Sequence, residues 1–526
     1  MFRKNTLKWR LFTGFALLLA LVLASACSRP GAESQASGAE AAPAETPVAE
    51  GAQEVAAVGE LPLNTNSQAA RDAYTQAEYL MDVGRGVQSR AKFQEAIAAD
   101  PGFVRAYWGI SNVALSFNEF QEVLDAAGEH LDGAAPSDKA LIEINRSFLS
   151  NSPAQGEAVA EQLVVDYPES ARAYIVLGGM QAAANENVEA RESFETALSL
   201  DANSAGAMLS LANNYLFGEP KDFDKAEQAI MQFNDAYPLE ARGFEILGDI
   251  KRAQGDLESA LAAYQRAGEI DPTLELALHK QGHINSFLGN IDAARESYDA
   301  AIAAAPPESK AGYAVFKAFT RIHQGDIAAA VDELVELADN VAAMGTPADQ
   351  VKGVQVFALT SAAQAALHAG MYDRAAELIE RRNELNLLIA ADVGTADAER
   401  LQRANNLMWD GLLNAYQGNR ETADNDADQI ARIVENDDNP RKMEPVHWVR
   451  GMAALRTGDY ATAVAELRGA DHANTMYIRY QLAEALRSAG NGEQAQPLYQ
   501  QVADFNFNSV GFALVGDDAR RKAAGG

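Results

Sequence analysis

Two adjacent stretches of this chain, 241–274 and 275–308, carry the same small and aromatic residues 34 positions apart. Gly248 recurs as Gly282, Gly255 as Gly289, Ala260 as Ala294, Tyr264 as Tyr298, Ala267 as Ala301 and Pro272 as Pro306. A fixed period of that length marks a repeat array, each unit being two short helices joined by a glycine turn. In the unit 241–274 the first helix is predicted over 242–254. Gly255-Asp256 ends it, because glycine enters the left-handed C-terminal cap without a Cβ clash. Ala260, Tyr264 and Ala267 follow at spacings of four and three and so share one face of the second helix. Asp271-Pro272 closes the unit, since proline cannot continue a helix. Helices this short are marginal alone, so their stability must come from stacking on neighbours.

These residues resemble the tetratricopeptide repeat, whose pattern is a large residue, Leu-Gly, an aromatic, then Ala, Phe or Tyr, Ala and Pro. Tyr174, Leu177, Gly178, Ala190, Phe194 and Ala197 follow the same pattern from about Ala171. Ala77, Phe93, Ala96 and Pro101 fit a unit from about Ala70, and Leu211, Ala212, Tyr215, Ala226, Phe233 and Pro238 fit one with an insertion at Pro220-Lys221. Later glycines at 325, 370, 418, 458 and 490 each precede an alanine (Ala330, Ala375, Ala423, Ala463, Ala495) near the expected place. The units over 104–138, 140–168 and 385–401 are degenerate. The expected fold is all-α: an α-solenoid of about ten tetratricopeptide-like helix-turn-helix repeats over 67–509, forming a right-handed superhelix, with 510–526 as a capping segment whose polar end, 517–526, frays.

The N-terminus carries a different signal. Arg3, Lys4, Lys8 and Arg10 precede the uncharged run 11–23, and Ala24-Ser25-Ala26 supplies small residues at a cleavage site. This pattern predicts a secretory signal over 1–26. Thirteen apolar residues are fewer than the roughly 20 a membrane span needs. The one cysteine of the 526 residues, Cys27, directly follows the predicted cut. Leu23-Ala24-Ser25-Ala26-Cys27 resembles a bacterial lipoprotein signal, with Ala24 where that pattern prefers leucine. The resemblance implies acylation of Cys27, membrane attachment, and a place in the envelope, on the periplasmic face of the outer membrane. Two or more acyl chains anchor stably where one does not. Residues 27–66, rich in Ala, Glu, Pro, Gly and Ser, form the expected tether, too poor in apolar side chains to order itself.

Charge narrows the partners. With 74 acidic and 43 basic residues the net charge is −31, which repels nucleic-acid phosphates and anionic headgroups. No cysteine beyond Cys27 is available for an internal disulfide. Catalytic and metal constellations are weak. His279 and His283 share a helix face at the spacing of a zinc pair, but Lys280 stands where the zinc-protease motif has its acid. Asp424, Asp426, Asp428 and Glu435 approach calcium-loop spacing, yet Gln429 replaces the glycine that loop requires, and a helix is expected there. The reading is therefore a non-catalytic chain with no cofactor and no metal.

In tetratricopeptide proteins ligands lie in the concave groove lined by the first helices. Carrying those places across, the resemblance implies groove contacts at Trp108, Asn112, Arg172, Asn213, Arg242, Glu245, Asp249, His279, His283, His323, Trp448 and Tyr480, with Phe217, Arg252, Phe287, Gln364 and Glu484 beside them. Amides and aromatics in that arrangement suit a protein or peptide partner. The alternative is a small-ligand or glycan sensor, with Trp108, Trp409 and Trp448 as stacking platforms.

Overall fold

A computed structural model describes residues 60–525, apart from 115–116, 151 and 438. The predicted signal, Cys27 and most of the tether lie outside the described residues. Within them the protein is all-α, an unbroken succession of helix-turn-helix pairs. The pairs are α1 (Gln68–Asp82) with α2 (Gly86–Ala99), α3 (Val104–Asn112) with α4 (Phe117–Gly128), and α5 (Pro136–Leu149) with α6 (Pro153–Asp166). Next come α7 (Ala171–Ala183) with α8 (Asn187–Leu200), α9 (Ala205–Phe217) with α10 (Phe223–Ala236), and α11 (Ala241–Ala253) followed by α12 (Leu257–Ile270). The second half holds α13 (Glu275–Phe287) with α14 (Ile291–Ala304), α15 (Pro307–His323) with α16 (Ile327–Asn340), and α17 (Ala348–His368) with α18 (Tyr372–Val393). It ends with α19 (Ala396–Tyr416) and α20 (Arg420–Val434), α21 (Glu444–Arg456) and α22 (Tyr460–Gly469), α23 (Met476–Ser488) and α24 (Gly492–Ala503), then a single α25 (Val510–Ala523). The chain divides into two compact units at Ile250/Lys251, inside α11.

Among the described residues twelve pairs form, against the expected ten or so, and the degenerate stretches fold as helix pairs like the rest. The turn glycines at 255, 289, 325, 370, 418, 458 and 490 all take positive φ, and between α7 and α8 Asn185 (φ 65°) does the same work. The 385–401 stretch departs from the pattern for a local reason. No turn residue interrupts the chain between Gly370 and Gly394, so α18 runs on for 22 residues to a left-handed cap at Gly394, and Thr395 then caps α19.

Small residues sit where paired helices touch. Phe93, Phe194, Tyr264 and Tyr298 are wholly or almost wholly buried, and Phe93, Phe194 and Tyr298 fill the space that a Cβ at Gly109, Gly178 and Gly282 would need. A Cβ at Gly282 would lie 2.8–2.9 Å from three atoms of the Tyr298 ring. That ring cannot yield, being fully buried with its hydroxyl 2.7 Å from His283 Nδ1. Gly282→Val is accordingly expected to destabilise the C-terminal unit by about 1–3 kcal/mol through overpacking. A urea midpoint unchanged from the parent would show that α13 and α14 can separate freely.

Both ends of the array are more ordered than expected. Leu61, assigned to the tether, is 4% exposed and packs with Val104, Trp108 and Leu141, while the Thr65 hydroxyl donates to Asp100 Oδ2 at 2.5 Å. At the other end α25 continues to Ala523, and Lys522 is held by Glu484 and Asp518 at 2.6 and 2.7 Å. Among the described residues no helix is long and apolar enough to cross a membrane.

Candidate functional site

The first helices of successive pairs present the residues expected to line a groove, and the structure gives most of them internal partners. In the N-terminal unit the end of α1 reaches the starts of α7, α9 and α11. Arg172 donates to Asp82 Oδ1 at 2.9 Å and lies 3.4 Å from Glu78. Burial disfavours its charge, but the two carboxylates outweigh burial and raise its pKa. Glu240 accepts from Tyr79 at 3.1 Å and from Arg85 at 2.7 Å. Arg242 pairs with the fully buried Glu245, and its methylene chain covers Gly84 so closely that a Cβ there would meet Arg242 Cγ at 2.7 Å. Asp249 is 7% exposed.

These contacts correct the sequence reading. Arg172, Arg242 and Glu245 were expected to face a ligand, whereas they tie the first pair to the fourth and sixth. Trp108 is a core residue, 4% exposed among Leu124, Leu141 and Ile144. Asn112 donates to the Trp108 carbonyl at 2.8 Å, and Asn213 is half-buried. Trp409 is 5% exposed and edge-on to Trp448, whose Nε1 donates to Gln481 at 2.9 Å. Of the three expected stacking platforms Trp108 and Trp409 are therefore buried, while Trp448 is half-buried.

In the C-terminal unit His283, His323 and Tyr480 each meet one later length of polypeptide, whereas His279 is buried among His283, Tyr298, Tyr313 and Phe316. That polypeptide is the chain's own end, residues 505–523. Arg252 and Asn506 exchange hydrogen bonds, Nη1 to the Asn506 carbonyl at 3.0 Å and Asn506 Nδ2 to the Arg252 carbonyl at 3.1 Å. The Arg252 guanidinium also covers the Phe507 ring at 3.9 Å. Asn508 Nδ2 donates to Tyr298 Oη at 3.1 Å and lies 3.2 Å from His283 Nδ1, while its Oδ1 stands 3.5 Å from His323 Nε2. Phe512 is 1% exposed and meets Phe287 edge-on with centroids 5.4 Å apart. At the far end the Tyr480 hydroxyl bonds Asp518, and Lys522 Nζ lies 2.9 Å from Tyr480 Oη, over the rings of Tyr480 and Tyr499 at 5.0 and 5.5 Å. Phe507, Asn508, Phe512 and Lys522 were missed in the sequence. Their one legible signal is the Phe-Asn-Phe-Asn run leading into apolar residues at 512, 515 and 519, spaced for one helix face.

Electrostatics on this face favour neutral groups. His279 stacks on Tyr313 at 4.4 Å and stands edge-on to His283 at 4.1 Å; burial, with Lys280 adding to it, lowers its pKa to about 3. Burial likewise holds His283 well below its ordinary value and pushes the Tyr298 hydroxyl up. One turn before His279, Glu275 is 3% exposed, and its Oε1 has no hydrogen-bond partner among the described residues. Burial pushes that carboxyl up to about 7. A carboxyl raised in the folded state stabilises the fold at low pH and loses that contribution as pH rises through 7. Glu275→Gln should therefore gain about 1–2 kcal/mol over the parent at pH 8 and little at pH 5, measured by urea unfolding at both. Equal gains at both pH values would show that Glu275 ionises normally.

Among the described residues no group of three or more His, Cys, Asp or Glu side chains is placed to hold a metal ion. Asp424, Asp426 and Asp428 lie on the continuous helix α20, where Arg420 approaches Asp424 at 3.6 Å and Asn414 donates to Asp426 at 2.9 Å.

Residues 74–139, 150–206, 221–275, 276–308 and 445–468 match models of the tetratricopeptide repeat. A curated relative, cellulose synthase operon protein C of Xanthomonas axonopodis pv. citri (strain 306), is 28% identical over 395 residues, covering 66% of this chain. The chain spans about a quarter of that relative's length (25%). Similar solved structures include YrrB, described as a TPR protein with an unusual peptide-binding site (22% identity, 34% of this chain and 91% of that one, TM-score 0.28). Others are PilW, a type IV pilus biogenesis factor (18% identity, 40% and 96%, TM-score 0.33), and the APC/C hetero-tetramer Cut9–Hcn1 (14% identity, 84% and 78%, TM-score 0.38).

Proposed function

We propose that this chain is a non-catalytic repeat scaffold that binds a protein or peptide through the first-helix faces of its array and is held at the bacterial envelope by lipid on Cys27. The observation that carries the binding reading is the C-terminal unit's grip on residues 505–523. One backbone carbonyl, that of Asn506, accepts from Arg252, the Asn508 amide meets Tyr298 and two histidines, and an aromatic enters an apolar site beside Phe287. These are the elements by which helical grooves take peptides: side-chain amides satisfy backbone, and aromatics supply area. Membrane attachment and export rest on the pattern 1–27 alone. The relative's name makes cellulose-synthesis machinery the first partner to test.

The test places a photo-crosslinking amino acid at Phe217 or Phe357, 44% and 42% exposed on first helices, and at Val188 on a second helix, 51% exposed, as control. One discrete protein adduct is expected from the first two positions and none from Val188. Adducts formed equally from all three, or from Val188 alone, would defeat the groove reading. In the same cells Cys27→Ala should abolish labelling by a radioactive fatty acid and move the protein from the membrane to the soluble fraction. Continued labelling would show that Cys27 is not the anchor.

A further inference from the structure

We propose that residues 505–522 are an intramolecular stand-in for the partner, which must displace them from the C-terminal unit by presenting the same chemistry. That chemistry is an extended aromatic–Asn stretch leading into an amphipathic helix, with a lysine fourteen residues beyond the asparagine (Asn508 to Lys522). The proposal rests on the reading that the first-helix face binds peptide.

A helix that merely capped the array would cover the last pair and stop there. Val515 and Ala519 meet that need, packing on Met476, Tyr477 and Val502. The rest of the segment does more. Phe512 joins Ala260, Tyr264, Ile284 and Phe287, more than 200 positions earlier in the chain, in one apolar cluster. Asn508 is met by three polar side chains on α13, α14 and α15, and its fit is specific. Arg252 donates to the Asn506 carbonyl, and the Asn506 amide donates back to the Arg252 carbonyl. Lys522 enters a site of two tyrosine rings and the Glu484 carboxylate that suits a cationic side chain. Covering the end of a solenoid needs no such polar selection; recognition does.

The segment is also built to leave. It is the end of the described chain, joined to α24 by residues 504–509, which form no helix, and Phe507 at its base is 43% exposed. Tethering gives it a high local concentration, so a free peptide of the same sequence binds the closed chain about 100-fold or more less well than the open one.

The experiment uses the full chain with a specific protease site inserted between Asp504 and Phe505, cut after folding, with circular dichroism confirming that the helices remain. A fluorescein-labelled synthetic peptide of residues 505–526 is then added. The labelled peptide is expected to exchange into the cut protein, and the uncut chain to exclude it by about 100-fold. Peptides carrying Asn508→Ala, Phe512→Ala or Lys522→Ala should each bind about tenfold more weakly or worse. A cut, folded protein that never admits the peptide overturns the proposal, as does equal binding to the uncut chain or by the alanine peptides. Should the inserted site prevent folding, amide hydrogen exchange on the unaltered chain decides. Exchange in α25 well ahead of α23 supports release, and simultaneous exchange of the two makes α25 a permanent cap. A permanent cap would leave cross-linking from Phe217 in the N-terminal unit unaffected, so the two readings fail separately.

Discussion

Replacing Asp138 by alanine is expected to cost the N-terminal unit about 3–5 kcal/mol, because it strands a charge in the core. Arg105 is the largest fully buried side chain among the described residues. Its Nε donates to Asp138 Oδ1 at 2.6 Å and its Nη2 to Ser137 Oγ at 3.0 Å, with the two charged side chains 2% and 1% exposed. Burial pushes the Asp138 carboxyl up and Arg105 opposes it, so each charge is tolerable only while the other is present. In Asp138→Ala the guanidinium, which cannot lose its proton, keeps one neutral acceptor in place of a carboxylate. Urea denaturation followed by hydrogen exchange of α3 and α5 would measure the loss. The double variant Arg105→Met/Asp138→Leu should recover most of it, since a buried pair replaced by apolar groups of similar volume is close to neutral. A single-variant cost below about 1 kcal/mol would mean that water reaches the pair, as at an exposed salt bridge.

Phe512→Ala in the full chain is expected to weaken the docking of α25 by about 3–5 kcal/mol, the usual range for emptying a buried phenylalanine site. Phe512 is 1% exposed, edge-on to Phe287 at 5.4 Å and 5.7 Å from Phe505, so its removal opens space beside both rings. The loss should appear as amide exchange in α25 faster by roughly two to three orders of magnitude. Exchange in the N-terminal unit should not change. Acceleration below about threefold would assign the hold on α25 to its ion pairs at Asp518 and Lys522, which are partly exposed and so weak individually.

Much of the fold was legible before any coordinates. Gly255 and Gly289 carry positive φ, Tyr264 and Tyr298 are fully buried, and α11 spans Ala241–Ala253 against a predicted 242–254. These features depend on neighbours within one or two units, and a 34-residue period records such neighbours directly. The α17–α19 region was less legible because its helices lack the stops that mark unit boundaries elsewhere. The surroundings of the expected groove residues were less legible. His283, His323 and Tyr480 meet residues 505–523, but Arg172 and Trp108 do not, since helix position says which way a side chain points and not what meets it.

The amino-acid sequence by itself determined the repeat, its turns and the small-against-aromatic packing inside each pair, because those are short-range constraints repeated many times. Only the tertiary structure decided what the first helices face. Asp82 with Arg172, 90 positions apart, and Asn508 with His283, 225 apart, come together through small rotations summed over many units. No single period records that sum, and it is what sets residues 505–523 against His283, His323 and Tyr480.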